Sequence, residues 1–431
     1  MKITILNGNP DPENHAFESY LRRLTESLAA SGSQATLLTL GEMDIRYCIG
    51  CFGCWVKTPG ECFSPDESCQ VRRAVLHSDF TLWASPLKMG FPSAVLKKMM
   101  DKSIPLIHPY FEVVHNEAHH RPRYDHYPRL GLLMEREADT DEADLAIVSD
   151  IFSRTALNMK SRLEFALTTD QPVEVVARAI LSVENAGKRT GISFQRHLTA
   201  TTGQRIAPPG WLTVFNGSPR GRKGNTPIML DQFVQGFCAS GEARSVDTYH
   251  LNHLNDMERH AQAFGDAECV LLGFPLYTDA MPGIVKDFIE RLEPYRGRAG
   301  APPIGFLVQS GFPESAHSRH IERYLEKLAH RLGSPYLGTM VKGGGEGVRM
   351  MPDKMNRKLF DALQGLGRAF GETGFFDPAL LRTLAGRERY PAYLAPVFKI
   401  FVRLPVASFY WDMLLKQNGA YEQRFARPYE I

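Results

Sequence analysis

Short apolar runs alternate along most of this chain with longer stretches in which apolar residues return every three or four positions. In the first half, the runs at 3–6, 35–40, 80–84, 130–134 and 163–168 have the length and composition of strands. The stretches 16–30, 93–103 and 173–186 between them carry the helical period. The second half repeats the order, with strands at 212–216, 244–249, 269–273, 304–309 and 336–341 and helices near 228–239, 283–292, 317–332 and 353–370. Such alternation predicts an α/β protein with mainly parallel sheets covered on both faces.

The halves also repeat residue by residue. ITILNGNP at 3–10 returns as LTVFNGSP at 212–219, and PLKMGFPSAVLK at 86–97 returns as PLYTDAMPGIVK at 275–286. Two copies of one fold are therefore joined head to tail. The first copy is 20 residues longer between these landmarks (76 positions from Pro10 to Pro86 against 56 from Pro219 to Pro275), and the excess falls where Cys48, Cys51, Cys54 and Cys62 lie. Length agrees, since 431 residues exceed the usual single core. The expected organisation is a first domain over 1–190, a polar linker over 191–210 ending near Pro208-Pro209-Gly210, a second domain over 211–375 and an extension over 376–431. Within the extension, 394–415 is rich in Phe, Val, Leu, Tyr and Trp, but Lys399, Arg403, Pro405 and Asp412 interrupt it. These interruptions rule out a comfortable membrane span, and the segment is expected to pack as a helical tail on a domain or subunit surface rather than to lie on a bilayer.

Composition removes some function classes. A net charge of +2 with 23% charged residues offers no basic field for nucleic acid. The N-terminal apolar run is too brief for a secretory signal and reads as a buried strand, so a cytoplasmic protein is expected. Seven cysteines, four of them within 48–62, suit ligands or redox chemistry better than a disulfide framework. Of five histidines between 108 and 126, the adjacent His119 and His120 cannot share one helical face, so a metal site is not expected there and a loop at a domain interface or substrate mouth is.

The second copy carries the better anion loop. NGSPRGRKGNT at 216–226 lies between a strand and a helix. Glycines there admit a close backbone approach, free amides at the helix start point at an anion, and Ser218, Arg220, Asn225 and Thr226 add donors around Gly224. The loop is neither a P-loop nor a dinucleotide fingerprint. It resembles the first flavin loop of the NADPH-dependent FMN reductase family, whose members have a flavodoxin-like fold. GFPLYTDAMPGIVK at 273–286 is similar to that family's second loop, with Pro275, Leu276 and Tyr277 as the matching positions. Ser310 and Gly311 stand where a third loop would flank the ring. The resemblance implies two tandem doubly wound, five-stranded flavodoxin-like sheets, with FMN at the carboxyl ends of the second copy's strands. It also implies NAD(P)H as a transient reductant, and association through an internal pseudo-dimer or a homodimer.

The first copy departs from this pattern. Its first loop, NGNPDPENH at 7–15, puts Asp11 and Glu13 where the second copy has Arg220, Arg222 and Lys223, and its third loop, at 135–144, is strongly acidic. Carboxylates repel a phosphate dianion, so FMN is not expected there. What the first copy has instead is Cys48-x-x-Cys51-x-x-Cys54 followed by Cys62, with Cys69 as a substitute ligand. Closely spaced thiolates let a short loop curl around one [4Fe-4S] cluster. Redox-active thiols and a zinc ion remain open on the residues alone. The motif resembles that of iron-sulfur flavoproteins, a branch of the same family, which implies a cluster exchanging electrons with FMN. No Ser/His/Asp or paired-carboxylate constellation stands out, so the chemistry is expected from the cofactor: electrons pass from NAD(P)H through FMN to a small acceptor. An electron carrier and an interaction scaffold with vestigial sites are the alternatives.

Overall fold

A computed structural model describes residues 1–183 and 198–430. Two compact units are present, one formed by 1–195 with 391–431 and the other by 196–390. The extension expected over 376–431 is thus divided, its first part staying with the second unit and its remainder counted with the first. Most of the expected linker's first half lies outside the described residues. Its later part docks on the second unit, where Gln204 N donates to Tyr336 O and Ile206 N to Gly374 O.

The first unit contains β1 (Lys2–Asn7), β2 (Gln34–Thr39), β3 (Phe80–Lys88), β4 (Phe91–Pro92), β5 (Ile107–Val114), β6 (Glu117–Pro122), β7 (Arg129–Glu135) and β8 (Leu163–Thr168). Five of these form a parallel sheet in the order β2-β1-β3-β7-β8, with the short β4 folded back on β3. The second unit contains β9 (Trp211–Asn216), β10 (Ser245–His250), β11 (Val270–Pro275), β12 (Ile304–Gln309) and β13 (Tyr336–Lys342). Its order, β10-β9-β11-β12-β13, is the same winding. Both sheets are flavodoxin-like. Each reverses direction beside its first strand, which opens a crevice at the carboxyl ends of the central strands.

Strand interiors read as continuous apolar runs because helices cover both faces. Ile3, Ile5, Phe80 and Leu82 pack with Phe17, Leu21 and Leu24 of the helix His15–Ala30 in the first unit. Leu212, Val214 and Leu271 pack with Phe233 and Phe237 of the helix Asn225–Cys238 in the second. The duplication extends to buried polar residues. Lys97 is sealed in an ion pair with Asp101 four residues on, and Lys286, at the matching position, meets Glu290 at 2.6 Å.

The histidine-rich segment is not the expected loop. β5 and β6 pair as an antiparallel hairpin around His115 (φ 50) and Asn116 (φ 64), the two left-handed residues that a two-residue turn demands. The aromatic and β-branched residues Tyr110, Phe111, Val113 and Val114 favour a strand here.

Candidate functional site

In the second unit, the first loop is shaped by its glycines and by Asn216. The Asn216 side-chain oxygen accepts from Ser218 N at 3.1 Å, and Gly217 N donates to Gly273 O at 2.7 Å. A Cβ on Gly217 would collide with Val285 Cγ2, and one on Gly224 with Ser218 Oγ. Gly224 precedes the helix Asn225–Cys238 and supplies no side-chain cap, so the amides of the first turn have no side-chain acceptor there. Ser218, Asn225 and Thr226 are buried around this point.

The second and third loops converge on the same end of the sheet. Leu276 N donates to Gln309 O at 2.7 Å, while Tyr277 and Ala280 exchange backbone bonds of 2.8 and 3.0 Å around Thr278 (φ 44) and Asp279 (φ 60). Pro275 ends β11, and Leu276 and Tyr277 are half-buried. Ser310 is pinned by Ser310 N to Lys342 O and by Gly345 N to Ser310 O. The buried Gln309 donates to Thr226 Oγ1 at 3.4 Å, and its Oε1 has no partner.

One residue of this site escaped the sequence reading. Glu346, just after the glycine turn that follows β13, accepts from Arg220 Nη1 at 2.9 Å. Asn225 ties the same turn down, donating to Glu346 O and accepting from Arg349 N, both at 3.0 Å. A Cβ on Gly311 would lie 3.7 Å from Glu346 Cβ, so the first and third loops meet at this carboxylate. Burial pushes the Glu346 carboxyl above its ordinary range, with Arg220 pulling the other way. The glycines of 343–345 were the available signal, because a carboxylate beyond a flexible turn can reach a neighbouring loop.

The first unit repeats the scaffold and fills it with its own side chains. Asn9 N donates to the Asn7 side chain at 2.9 Å and Gly8 N to Ala84 O at 2.8 Å, as their counterparts do. Here, however, Asn14 caps the helix His15–Ala30 by accepting from Phe17 N. The Glu18 carboxylate gathers the side-chain amides of Asn7 and Asn9 at 2.8–2.9 Å. Asn14 donates to Glu135 at 2.6 Å. Glu137 accepts from Met89 N and Gly90 N, which stand where Thr278 and Asp279 stand in the second unit. Donors that an anion or a ring would need are met by three carboxylates.

The cysteine loop follows β2. Gly50 (φ 63) and Phe52 (φ 57) turn it back on itself before a single helical turn, Gly53–Val56. Cys54 feels the charges of Cys48, Cys62 and Cys51, so the four thiols share one neighbourhood. Among the described residues no three His, Cys, Asp or Glu side chains converge tightly enough to hold an ion. Gly53 N donates to Cys51 Sγ at 3.4 Å, and a Gly50 backbone bond reaches Cys48. Two buried cations face the loop. Lys102 Nζ lies 3.4 Å from Cys62 Sγ and 2.7 Å from Asp66. Arg123 donates to the carbonyls of Pro105 (2.9 Å) and Ala426 (2.8 Å) and acts electrostatically on Cys54. Burial dominates at the thiols, pushing Cys48 up to about 12 and Cys54 well above its ordinary value.

Residues 1–116 match the family described as NADPH-dependent FMN reductase, a span running from β1 to the β5–β6 turn and including the cysteine loop. The chain is 30% identical over 106 residues to an iron-sulfur flavoprotein of Methanocaldococcus jannaschii, covering 25% of this chain and 53% of the relative. To an iron-sulfur flavoprotein of Archaeoglobus fulgidus it is 31% identical over 108 residues, covering 25% of this chain and 48% of the relative. It spans about half the length of the curated relatives it matches. Among solved structures it is similar to an azoreductase from Bacillus anthracis, with 14% identity, a TM-score of 0.30, and coverage of 38% of this chain and 98% of that one.

Proposed function

We propose that this chain is an FMN-dependent oxidoreductase, in keeping with the match of residues 1–116, in the first unit, to the NADPH-dependent FMN reductase family, and, on the geometry of the loops, that its flavin sits on the second unit. The observation that carries the placement is the difference between two equivalent helix starts. Asn14 caps the first through Phe17 N while Glu18, Glu135 and Glu137 occupy donors of the surrounding loops, whereas Gly224 leaves the second without a side-chain cap beside Ser218, Thr226 and the unpartnered Gln309 Oε1.

In this reading Ser218, Asn225, Thr226 and the amides of the first helical turn after Gly224 hold the phosphate, with Arg220 turning from Glu346 to join them. Pro275, Leu276 and Tyr277 line one edge of the ring, and Ser310 and Gly311 the other. When bound, FMN supplies hydride acceptance and one-electron release. The chain's own contribution is grip, orientation and exclusion of water from a crevice whose loops are lashed to the strands. NADH or NADPH as reductant and a small-molecule acceptor complete the proposal.

Cys48, Cys51, Cys54 and Cys62 are proposed as ligands of a [4Fe-4S] cluster. The donor set fits in chemistry: four thiols on one loop, backbone amides aimed at sulfur, and Lys102 and Arg123 to balance an anionic group. This would give the chain a one-electron site besides the flavin.

An absorption spectrum of protein purified without air, followed by NADH and NADPH oxidation assays with quinone and ferricyanide acceptors, tests the reading. Flavin bands and acceptor-dependent oxidation are expected. Tight FMN binding without oxidation would mean an electron carrier, and a colourless protein that rejects added FMN would mean a scaffold.

A further inference from the structure

The C-terminal tail presents a surface unlike the rest of the chain. Its helices Ala395–Phe401 and Pro405–Gln417 are fastened from beneath to the first unit. Val402 is buried and its carbonyl accepts from Arg121 Nη2 at 2.6 Å. Trp411 and Leu415, one helical turn apart, are buried in a cluster with Trp55, Val56 and Ile107. Asp412 accepts from the Tyr110 hydroxyl at 2.8 Å and from Ser408 at 2.9 Å. These contacts fix which faces look outward.

The outward faces are apolar. Val397, Ile400 and Phe401 sit at i, i+3 and i+4 of the first helix and are 62%, 62% and 45% exposed, and Leu404 in the turn beyond it is 46% exposed. On the second helix Val406 and Phe409, at i and i+3, are 65% and 66% exposed. Single exposed apolar side chains are ordinary, whereas an ordered row of large ones marks a surface that something covers.

Charge decides what covers it. From 391 to 411 the sequence has no Asp or Glu, while Lys399 and Arg403 stand exposed within the row and form no ion pair among the described residues. A two-fold contact between copies of this chain would set these cations against themselves with no acid in the patch to meet them. An anionic lipid surface satisfies both features at once, because apolar side chains enter the headgroup boundary while cations take lipid phosphates. Among the described residues no helix is long and apolar enough to cross a membrane, so the contact is with the surface.

We propose that the tail helices form a docking surface for an anionic phospholipid bilayer, with Ile400 and Phe409 as apolar anchors and Lys399 and Arg403 as headgroup contacts. The inference is independent of the flavin assignment.

Flotation of the full chain with phosphatidylglycerol vesicles and with phosphatidylcholine vesicles tests it. Flotation with phosphatidylglycerol and much less with phosphatidylcholine is expected, weakening as salt rises. The pair Ile400→Ser and Phe409→Ser should lower partitioning about tenfold or more, and Lys399→Glu with Arg403→Glu about as much. All four positions are exposed, so melting temperature should hold in both variants, which separates lost docking from lost folding. Protein left at the bottom with phosphatidylglycerol, or flotation indifferent to charge reversal, overturns the proposal. So does a dimer by light scattering that Ile400→Ser with Phe409→Ser dissociates while no vesicle binding is seen, since the face would then belong to a second copy.

Discussion

Arg220 Nη1 donates to Glu346 Oε1 across 2.9 Å, so the guanidinium proposed to meet the flavin phosphate is already met by a carboxylate of its own unit. A phosphate dianion arriving at the loop has to displace that carboxylate or lie beside it, and either costs affinity. Glu346→Gln should therefore tighten FMN binding by about tenfold, roughly the worth of one charged hydrogen bond. Quenching of flavin fluorescence measures this. Weaker binding in the variant would mean that Glu346 serves the ligand rather than competing with it.

The cysteine loop gives a compositional prediction. Protein purified without air should contain iron and acid-labile sulfide, and Cys54→Ala should lose most of both, because Cys54 lies among the other three thiols. Elemental analysis checks it. Zinc without sulfide would replace the cluster by a zinc site, and neither metal would leave redox-active thiols.

Trp411 stands edge-on to Phe52 and to Trp55, with ring centroids 5.2 Å apart in each pair. The tail thereby closes over the cysteine loop, since Cys54 packs against the same cluster. Trp411→Ala should cost about 3–5 kcal/mol of the first unit's stability. Thermal denaturation reads that loss, and alkylation of Cys54 in metal-free protein should quicken alongside it. An unchanged melting temperature with unchanged labelling would detach the tail from this role.

His108 and His120 lie among aromatic rings of the hairpin, the tail and Trp55. Burial, with nearby Arg123 for the first and Lys160 for the second, holds both down to about 3 against an ordinary 6.5. A depressed folded value means that the unfolded chain binds more protons between those limits. Stability should be fully present above pH 6.5 and fall as pH drops toward 3. Melting curves across that window for wild type and for His108→Phe with His120→Phe isolate this contribution. The variant should show the shallower decline, and identical slopes would contradict it.

Most of the architecture was legible in the sequence because strand identity and order depend on local apolar runs. All ten parallel strands fall close to their expected positions, and NGNP with NGSP announces the repeated Asn7 and Asn216 turns. What stayed hidden depends on contacts far apart in the chain. Nothing local places Glu346 on Arg220, Glu137 on the amides of Met89 and Gly90, or Arg123 beneath the carbonyls of the tail. The hairpin of β5 and β6 was obscured for another reason, since its polar histidines suggested a loop although its rings pack on both faces, Tyr110 with His108 and Phe111 with His120.

The placement of FMN on the second unit is tested most directly by titrating FMN against wild-type protein and Arg220→Glu, with Glu18→Ala as the first-unit control. About one flavin per chain is predicted for wild type, with affinity reduced by a factor of roughly ten to a hundred in Arg220→Glu and little changed in the control. Unchanged affinity in Arg220→Glu, or a loss confined to Glu18→Ala, would contradict the account.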